Sequence, residues 1–231
     1  NCDWSSDVCS SDLTGSIKWD VSLGSELRDR AAALAAHWDS DRRPVLVAAS
    51  THPGEEALLL AAADHLRMSF PDLLLVLVPR HPERFEEVYQ LLTARGEAVA
   101  RRSGDNAVTS DTTVLLGDTM GELLLMLGAA QVAFIGGSLV PHGGHNLLEA
   151  AAWGIPVLTG PHTFNFERVT ELLTHAGGAK VVADKEALIV ELSALLSDSV
   201  KAEEMGSRAL AVVEANRGSL EKLLQLVPEL L

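Results

Sequence analysis

The sequence has little cysteine: two residues among 231, Cys2 and Cys9, both inside the first ten positions. That is too few and too peripheral for a disulfide framework or a zinc site built on thiolates. Positive charge is also short. Lys and Arg number 18 against 32 Asp and Glu, a net charge of -14, so the overall field repels phosphate backbones and anionic headgroups, and nucleic acid is not an expected partner. Net charge governs steering rather than pocket chemistry, because one Arg and a few backbone N–H groups suffice to hold a small anion. Long apolar runs are missing too: stretches such as 57–63 and 73–78 fall well short of the roughly 20 residues that a membrane helix needs. No charged segment followed by an apolar run and a small-residue cleavage site opens the chain, so the expectation is a soluble chain in a cytosolic setting with no transmembrane segment.

Residues 1–13 are rich in Ser and Asp, lack an initiating Met and show no hydrophobic period, and read as a foreign or disordered segment outside the fold. With them set aside, the chain is expected to begin inside something larger. Residues 14–43 then read as the end of a preceding domain and a linker helix over 26–37, with the charged run 39–43 leading into the first strand. From Pro44 to the end the sequence reads as one domain, since nearly half of all residues, 47%, are hydrophobic and can supply a core of ordinary size.

Within 44–231, short apolar runs alternate with longer amphipathic ones, the pattern of parallel strands joined by crossover helices. Strands are predicted at 45–49, 74–78, 98–101, 114–116, 132–135, 157–158 and 180–182, and most are too apolar for a face in contact with water. Helices are predicted between them at 55–69, 83–94, 121–127, 147–153 and 167–175. The fold class is therefore α/β, a doubly wound, Rossmann-like parallel sheet. Three further helical stretches, 185–196, 201–216 and 219–231, are expected to pack on the edge of the sheet or to cross to a partner domain.

Ligands of open α/β sheets bind beyond the carboxyl ends of the strands, so the loops that follow each strand carry the functional argument. The first holds Ser50, Thr51, His52 and Gly54 before Glu55 and Glu56, which taken alone is an ordinary capped helix start. The second projects Arg80 and His81 between Pro79 and Pro82; a guanidinium held this way suits a phosphate or a base edge, as it also suits a plain surface position. The fourth, from Gly117 through Met120, Gly121 and Glu122, can bring backbone against a planar base, or can be a simple cap by Asp118 or Thr119. The most informative loop runs from Gly136 to Glu149, with glycine at 136, 137, 143 and 144. Such a run marks tight turns or backbone brought close to a ligand, here expected to face phosphate. Asn146 and Glu149 lie three apart and share a helix face, and a carboxylate so placed can accept both ribose hydroxyl protons. A metal site at His142 and His145 is not expected, because no Cys or third His has the spacing.

These strings resemble, as a set and in order, the Kdo (3-deoxy-D-manno-octulosonic acid) transferase family. The resemblance rests on Ala49-Ser-Thr-His-Pro-Gly-Glu55, Val78-Pro-Arg-His-Pro-Glu-Arg-Phe85, Leu116-Gly-Asp-Thr-Met-Gly-Glu-Leu123, Gly136-Gly-Ser-Leu-Val-Pro-His-Gly-Gly-His-Asn146 and Val157-Leu-Thr-Gly-Pro-His-Thr-Phe-Asn-Phe166. It covers nearly everything from Thr14 onward. It implies a GT-B glycosyltransferase of which this chain is the C-terminal, donor-binding half. Carried over position by position, Pro79, Arg80, Met120, Gly121, Glu122, Asn146, Leu147, Leu148 and Glu149 would contact CMP. Ser50, Thr51, Gly137, Ser138 and Gly144 would line the phosphate and sugar side. Where many members have Pro after the Asn, this chain has Leu147, which forgoes a preset φ but no ligating side chain.

The resemblance further implies an inverting, metal-independent transfer of Kdo from CMP-Kdo, a donor substrate and not a cofactor, to a lipid A precursor at the cytoplasmic face of the inner membrane. The general base would lie in the N-terminal acceptor domain, so no catalytic residue is expected here, and the fragment alone is expected to be inactive. Two other readings stay open on the residues: a GT-B donor domain for a UDP-sugar, and a stand-alone nucleotide-binding module.

Overall fold

The computed structural model describes residues 19–40, 42–104 and 108–218. The segment 1–13 and the helix expected at 219–231 lie outside them. The described residues form α1 (Ser25–His37), β1 (Val45–Thr51), α2 (Glu55–Arg67), β2 (Leu74–Pro79), a 3-10 turn (Pro82–Arg84), α3 (Phe85–Ala94), β3 (Val99–Arg101), β4 (Val114–Leu116), α4 (Leu123–Leu127), β5 (Val132–Ile135), α5 (Leu148–Ala152), β6 (Val157–Thr159), α6 (Glu167–His175), β7 (Ala179–Val181), α7 (Lys185–Ser197) and α8 (Ser199–Asn216). Every expected strand within this range is present. The start of the helix expected at 83–94 is a separate 3-10 turn, with Pro82 at its first position, where a missing N–H costs nothing.

The strands make one seven-stranded sheet in the order β3-β4-β2-β1-β5-β6-β7, and every pairing is parallel. Side chains alternate across it. Val45, Val47 and Ala49 of β1 point into one core with α1, α4, α5, α6 and α8. Leu46 and Ala48 point into the other, with α2, α3 and α7. A strand covered on both faces has no side that needs to be polar, which is why the runs read as continuously apolar.

The C-terminal helices correct one expectation. They do not pack on the sheet's edge: α7 lies against α2 on one face, while α8 lies against α5 and α6 on the other. Their buried residues explain the split, since Leu188, Leu192 and Leu195 join the first face's core and Ala209 and Val213 the second's. Gly206 permits the second contact; a Cβ there would sit 1.9 Å from the Gly154 carbonyl oxygen. The run expected as a linker is also tied in. Arg43 is buried and donates to the backbone carbonyls of Asp72 (2.8 Å), Thr109 (3.0 Å) and Thr112 (2.7 Å). α1 buries Ala31 and Leu34 in the same core as the sheet.

From β1 the chain moves outward to β2, on to the edge strand β3 and back to β4 between them, and later returns to the other side of β1 for β5, β6 and β7. The strand order therefore reverses between β1 and β5. At such a switch point the loops diverge to either face and leave a crevice at the carboxyl ends of the strands.

Candidate functional site

Two adjoining cavities lie in that crevice. One, of about 440 Å³, is lined by Pro79, Arg80, Met120, Gly121 and Glu149, with Val21 and Phe85 at its apolar margin. The second, of about 230 Å³, holds His145, Asn146 and Phe166. Both share Ser50, Arg80, Leu123 and Glu149, so they form one trough with the guanidinium and the carboxylate at its middle. Ser50 stands at the end of β1 with φ +56°, in a bulge that shifts the register between Ala49 and Thr51. A left-handed serine costs on the order of 1 kcal/mol, and here it turns the backbone out at the cavity wall. Arg80 is set in turn by its backbone N–H, which donates to the Thr51 carbonyl at 3.0 Å.

Glu149 is the second residue of α5, which places its carboxyl in the trough while Leu148 and Ala150 on either side pack into the core. Burial raises its pKa above the ordinary carboxylate value, against the opposing pull of the Asn146 hydrogen bond and the Arg80 charge. Asn146 also accepts from the Leu148 N–H at 3.1 Å. Desolvated yet facing a guanidinium, Glu149 is suited to accept hydrogen bonds from a polyol such as ribose.

The glycine-rich loop is arranged differently from expectation. Glu55, fully buried at the start of α2, places its carboxylate in the concavity formed by the loop's amides. It accepts from Gly137 N (2.6 Å), Ser138 N (2.9 Å), Leu139 N (2.9 Å) and its own turn's His52 N (3.0 Å). The amide cradle expected to face phosphate is thus filled by an internal anion. Ser138 is buried as well, its Oγ donating to the Ile135 carbonyl and accepting from Gly160 N. Gly144 N donates to the Gly137 carbonyl at 2.8 Å.

Other expected contacts also have internal partners. The Thr51 hydroxyl donates to Glu56, which is paired with Arg84 at 2.7 Å. The Glu122 carboxylate receives Arg102 at two points (2.9 and 3.0 Å) and the Thr119 hydroxyl at 2.6 Å, and these hold its pKa below the ordinary value. It ties the 119–122 loop together, and Met120 and Gly121 of that loop line the cavity. Leu147 and Leu148 are fully buried core residues, and only their backbone belongs to the site's framework.

Sequence reasoning missed the histidines as a group. His52 and His145 meet with their Nε2 atoms 2.7 Å apart, one ring donating and the other accepting. His142 stacks on His52 at 4.2 Å between ring centroids, and His81 meets it edge-on at 5.4 Å. Gly137 lies beneath: a Cβ there would be 3.0 Å from the His145 ring. Burial first, then the neighbouring rings and arginines, pull both His52 and His145 down to about 4, so the pair is neutral at pH 7. Five histidines lie in the loops after β1, β2, β5 and β6, and that crowding of imidazoles at one sheet edge was the readable signal. Among the described residues no group of His, Cys, Asp or Glu could hold a metal ion, and no helix is long and apolar enough to cross a membrane.

Comparison with known proteins bears on this geometry. No family model matches the chain. It is 44% identical over 216 residues to the 3-deoxy-D-manno-octulosonic acid transferase of Haemophilus influenzae, covering 93% of this chain and 50% of that protein. With the enzyme of the same name from Bordetella pertussis it shares 40% identity over 217 residues, 92% of this chain and 50% of that one. The chain thus spans about half the length of these curated relatives. Among solved structures, the C-terminal CMP-Kdo binding domain of WaaA from Acinetobacter baumannii superposes with a TM-score of 0.78 at 34% identity, over 82% of this chain and 99% of that domain. A more distant likeness, to Anabaena Alr3699/HepE in complex with UDP and glucose, has a TM-score of 0.62 at 16% identity over 87% of this chain and 52% of that one; it shows the shared fold alone. The architecture is that of the C-terminal domain of a GT-B glycosyltransferase, and the chain belongs to the Kdo transferase family, as its C-terminal half.

Proposed function

We propose that the trough at the β1/β5 switch point holds CMP-Kdo, the nucleotide-sugar donor of a Kdo transfer reaction. The observation that carries this reading is the placement of Arg80, Met120, Gly121 and Glu149 around one trough, in a chain that covers 99% of a solved CMP-Kdo binding domain. The base would lie against Met120 and Gly121, where the Arg102–Glu122 pair stiffens the loop. Glu149 would accept the ribose hydroxyls, and Arg80 would meet the negative charge beside them. The cavity of His145 and Asn146 takes the sugar end.

In the intact enzyme the chain's task is to orient the donor and stabilise the departing CMP, while a general base on the other half activates the acceptor hydroxyl for displacement with inversion. Acceptor binding, lipid A precursor recognition and contact with the cytoplasmic face of the inner membrane fall to that half. The test is a melting-temperature series with millimolar CMP, cytidine and UMP, on the wild type and on Glu149→Ala. A ligand that binds only the folded state at a hundredfold excess over its Kd stabilises by about 2.7 kcal/mol. CMP is expected to raise Tm and the variant to lose that rise. A rise with UMP and none with CMP would refute the cytidine assignment.

A further inference from the structure

We infer that the histidine cluster at the sugar end of the trough is an oxyanion subsite that takes up a proton when the donor binds. The inference rests on the donor-binding reading above and adds to the trough a positive charge beyond that of Arg80. The amide nest of the glycine loop, the obvious place for an anion, is filled by Glu55, so a bound oxyanion must find its counter-charge elsewhere in the trough. Arg80 supplies one positive charge. The next groups along the wall are His145, which lines the cavity with Asn146 and Glu149, and His52, bonded to it through Nε2.

The pair is built to exchange protons. Two imidazoles joined Nε2 to Nε2 share one hydrogen and keep one further basic nitrogen, Nδ1 of the donating ring; a proton added there leaves the Nε2–H···Nε2 bond in place and gives the pair one positive charge. Burial and the positive neighbours oppose this, with the Glu56 charge pulling the other way on His52. His142 and His81 pack on His52, Arg80 lies beside His145, and Arg84 adds positive charge from below. The acidic groups nearby are committed elsewhere: Glu55 to four amides, Glu56 to Thr51 and Arg84, and Glu83 to His81 at 3.8 Å. Glu149 shares the cavity and faces Arg80. A ligand oxyanion entering at His145 reverses the balance, because an opposite charge at close range favours the charged imidazole. The protein as a whole carries -14, so this local charge is what would hold a second negative group of the ligand.

Two ligand groups share this chemistry, the phosphodiester and the carboxylate of the acid sugar. Isothermal titration of the chain at pH 6.5, in two buffers of different ionisation enthalpy, counts the protons taken up per ligand bound. The probes are cytidine 5′-methyl phosphate, a diester with no second ionisation of its own, and CMP-Kdo, which adds the carboxylate. The expected result is close to one proton taken up per ligand, with affinity rising up to tenfold per unit fall in pH between 8 and 6. Uptake with both probes assigns the phosphodiester as the partner; uptake with CMP-Kdo alone assigns the carboxylate. His145→Gln is expected to bind more weakly and without uptake, and undiminished uptake in that variant overturns the assignment to this pair. Binding of both probes with no uptake by the wild type overturns the inference and leaves the donor site standing. If neither probe binds, the donor reading falls and the inference falls with it.

Discussion

Replacing Glu55 by Gln asks whether the glycine loop is held in place by a charge. Each oxygen of the buried carboxylate accepts two backbone N–H bonds, Oε2 from His52 and Gly137 and Oε1 from Ser138 and Leu139. An amide of the same shape keeps one accepting oxygen and turns an NH2 group on the other two N–H groups. Hydrogen bonds to a charged partner contribute about 1.5–3 kcal/mol each, so losing two amounts to about 3–6 kcal/mol. An amide costs less to bury than a carboxylate, which draws the net toward the lower figure. For a chain of this size a loss of about 3 kcal/mol lowers Tm by roughly 6–12 °C. Urea unfolding of wild type and Glu55→Gln at pH 7 measures the difference directly, with an unchanged m-value confirming that stability alone has moved. A loss below about 0.5 kcal/mol, the range of an indifferent surface change, would refute the reasoning. It would mean that the loop's amides find other partners at no cost.

Two further predictions concern the loop at the base end and the histidines. Arg102→Ala removes a half-exposed pair with Glu122 that is worth at most about 1 kcal/mol to folding; CMP affinity is nevertheless expected to fall several-fold, since the 119–122 loop loses its clamp, and unchanged affinity by titration would dismiss the clamp. The histidines predict a pH dependence of stability. His52 and His145 are held at about 4 when folded against 6.5 ordinarily, so between these values the unfolded chain binds more protons. Their contribution is complete above pH 6.5 and is lost as pH falls toward 4. The urea midpoint is expected to drop between pH 6.5 and 5 more steeply in wild type than in the His52→Gln/His145→Gln double variant, and equal slopes would count against neutral histidines in the folded state.

The parallel sheet was readable because strands buried on both faces must be apolar at every position, as 45–49 and 74–78 are. Strand ends were less readable. Thr51 and Pro79 extend β1 and β2 by pairing with one another across a bulge, a relation that neither residue announces locally. Arg80 and Glu149, singled out because each follows a strand or opens a helix at the ligand-facing edge, both line the trough. The fate of the glycine loop was not legible. Its amides are filled by a carboxylate more than 80 residues earlier in the chain, at a position that locally looks like any acidic first turn. The same holds for Glu122, whose partner Arg102 lies 20 residues before it, and for His52 and His145, separated by 93. Residue type and local spacing revealed which loops matter, but long-range pairing decided which atoms in them are free.

The placement of β1 between β2 and β5 also sets an order of events during synthesis. Until residue 135 has left the ribosome, the strand that will be central is an open edge, with Val45–Thr51 unpaired on one side. Over the same interval Glu55 has none of the three glycine-loop amides that will later surround it, so its charge opposes burial of the α2 N-terminus. Pairing of the open side of β1 and hydrogen-bonded housing of that carboxylate arrive together, with β5 and its glycines. Such non-local closure is slow and leaves apolar edges exposed while it waits.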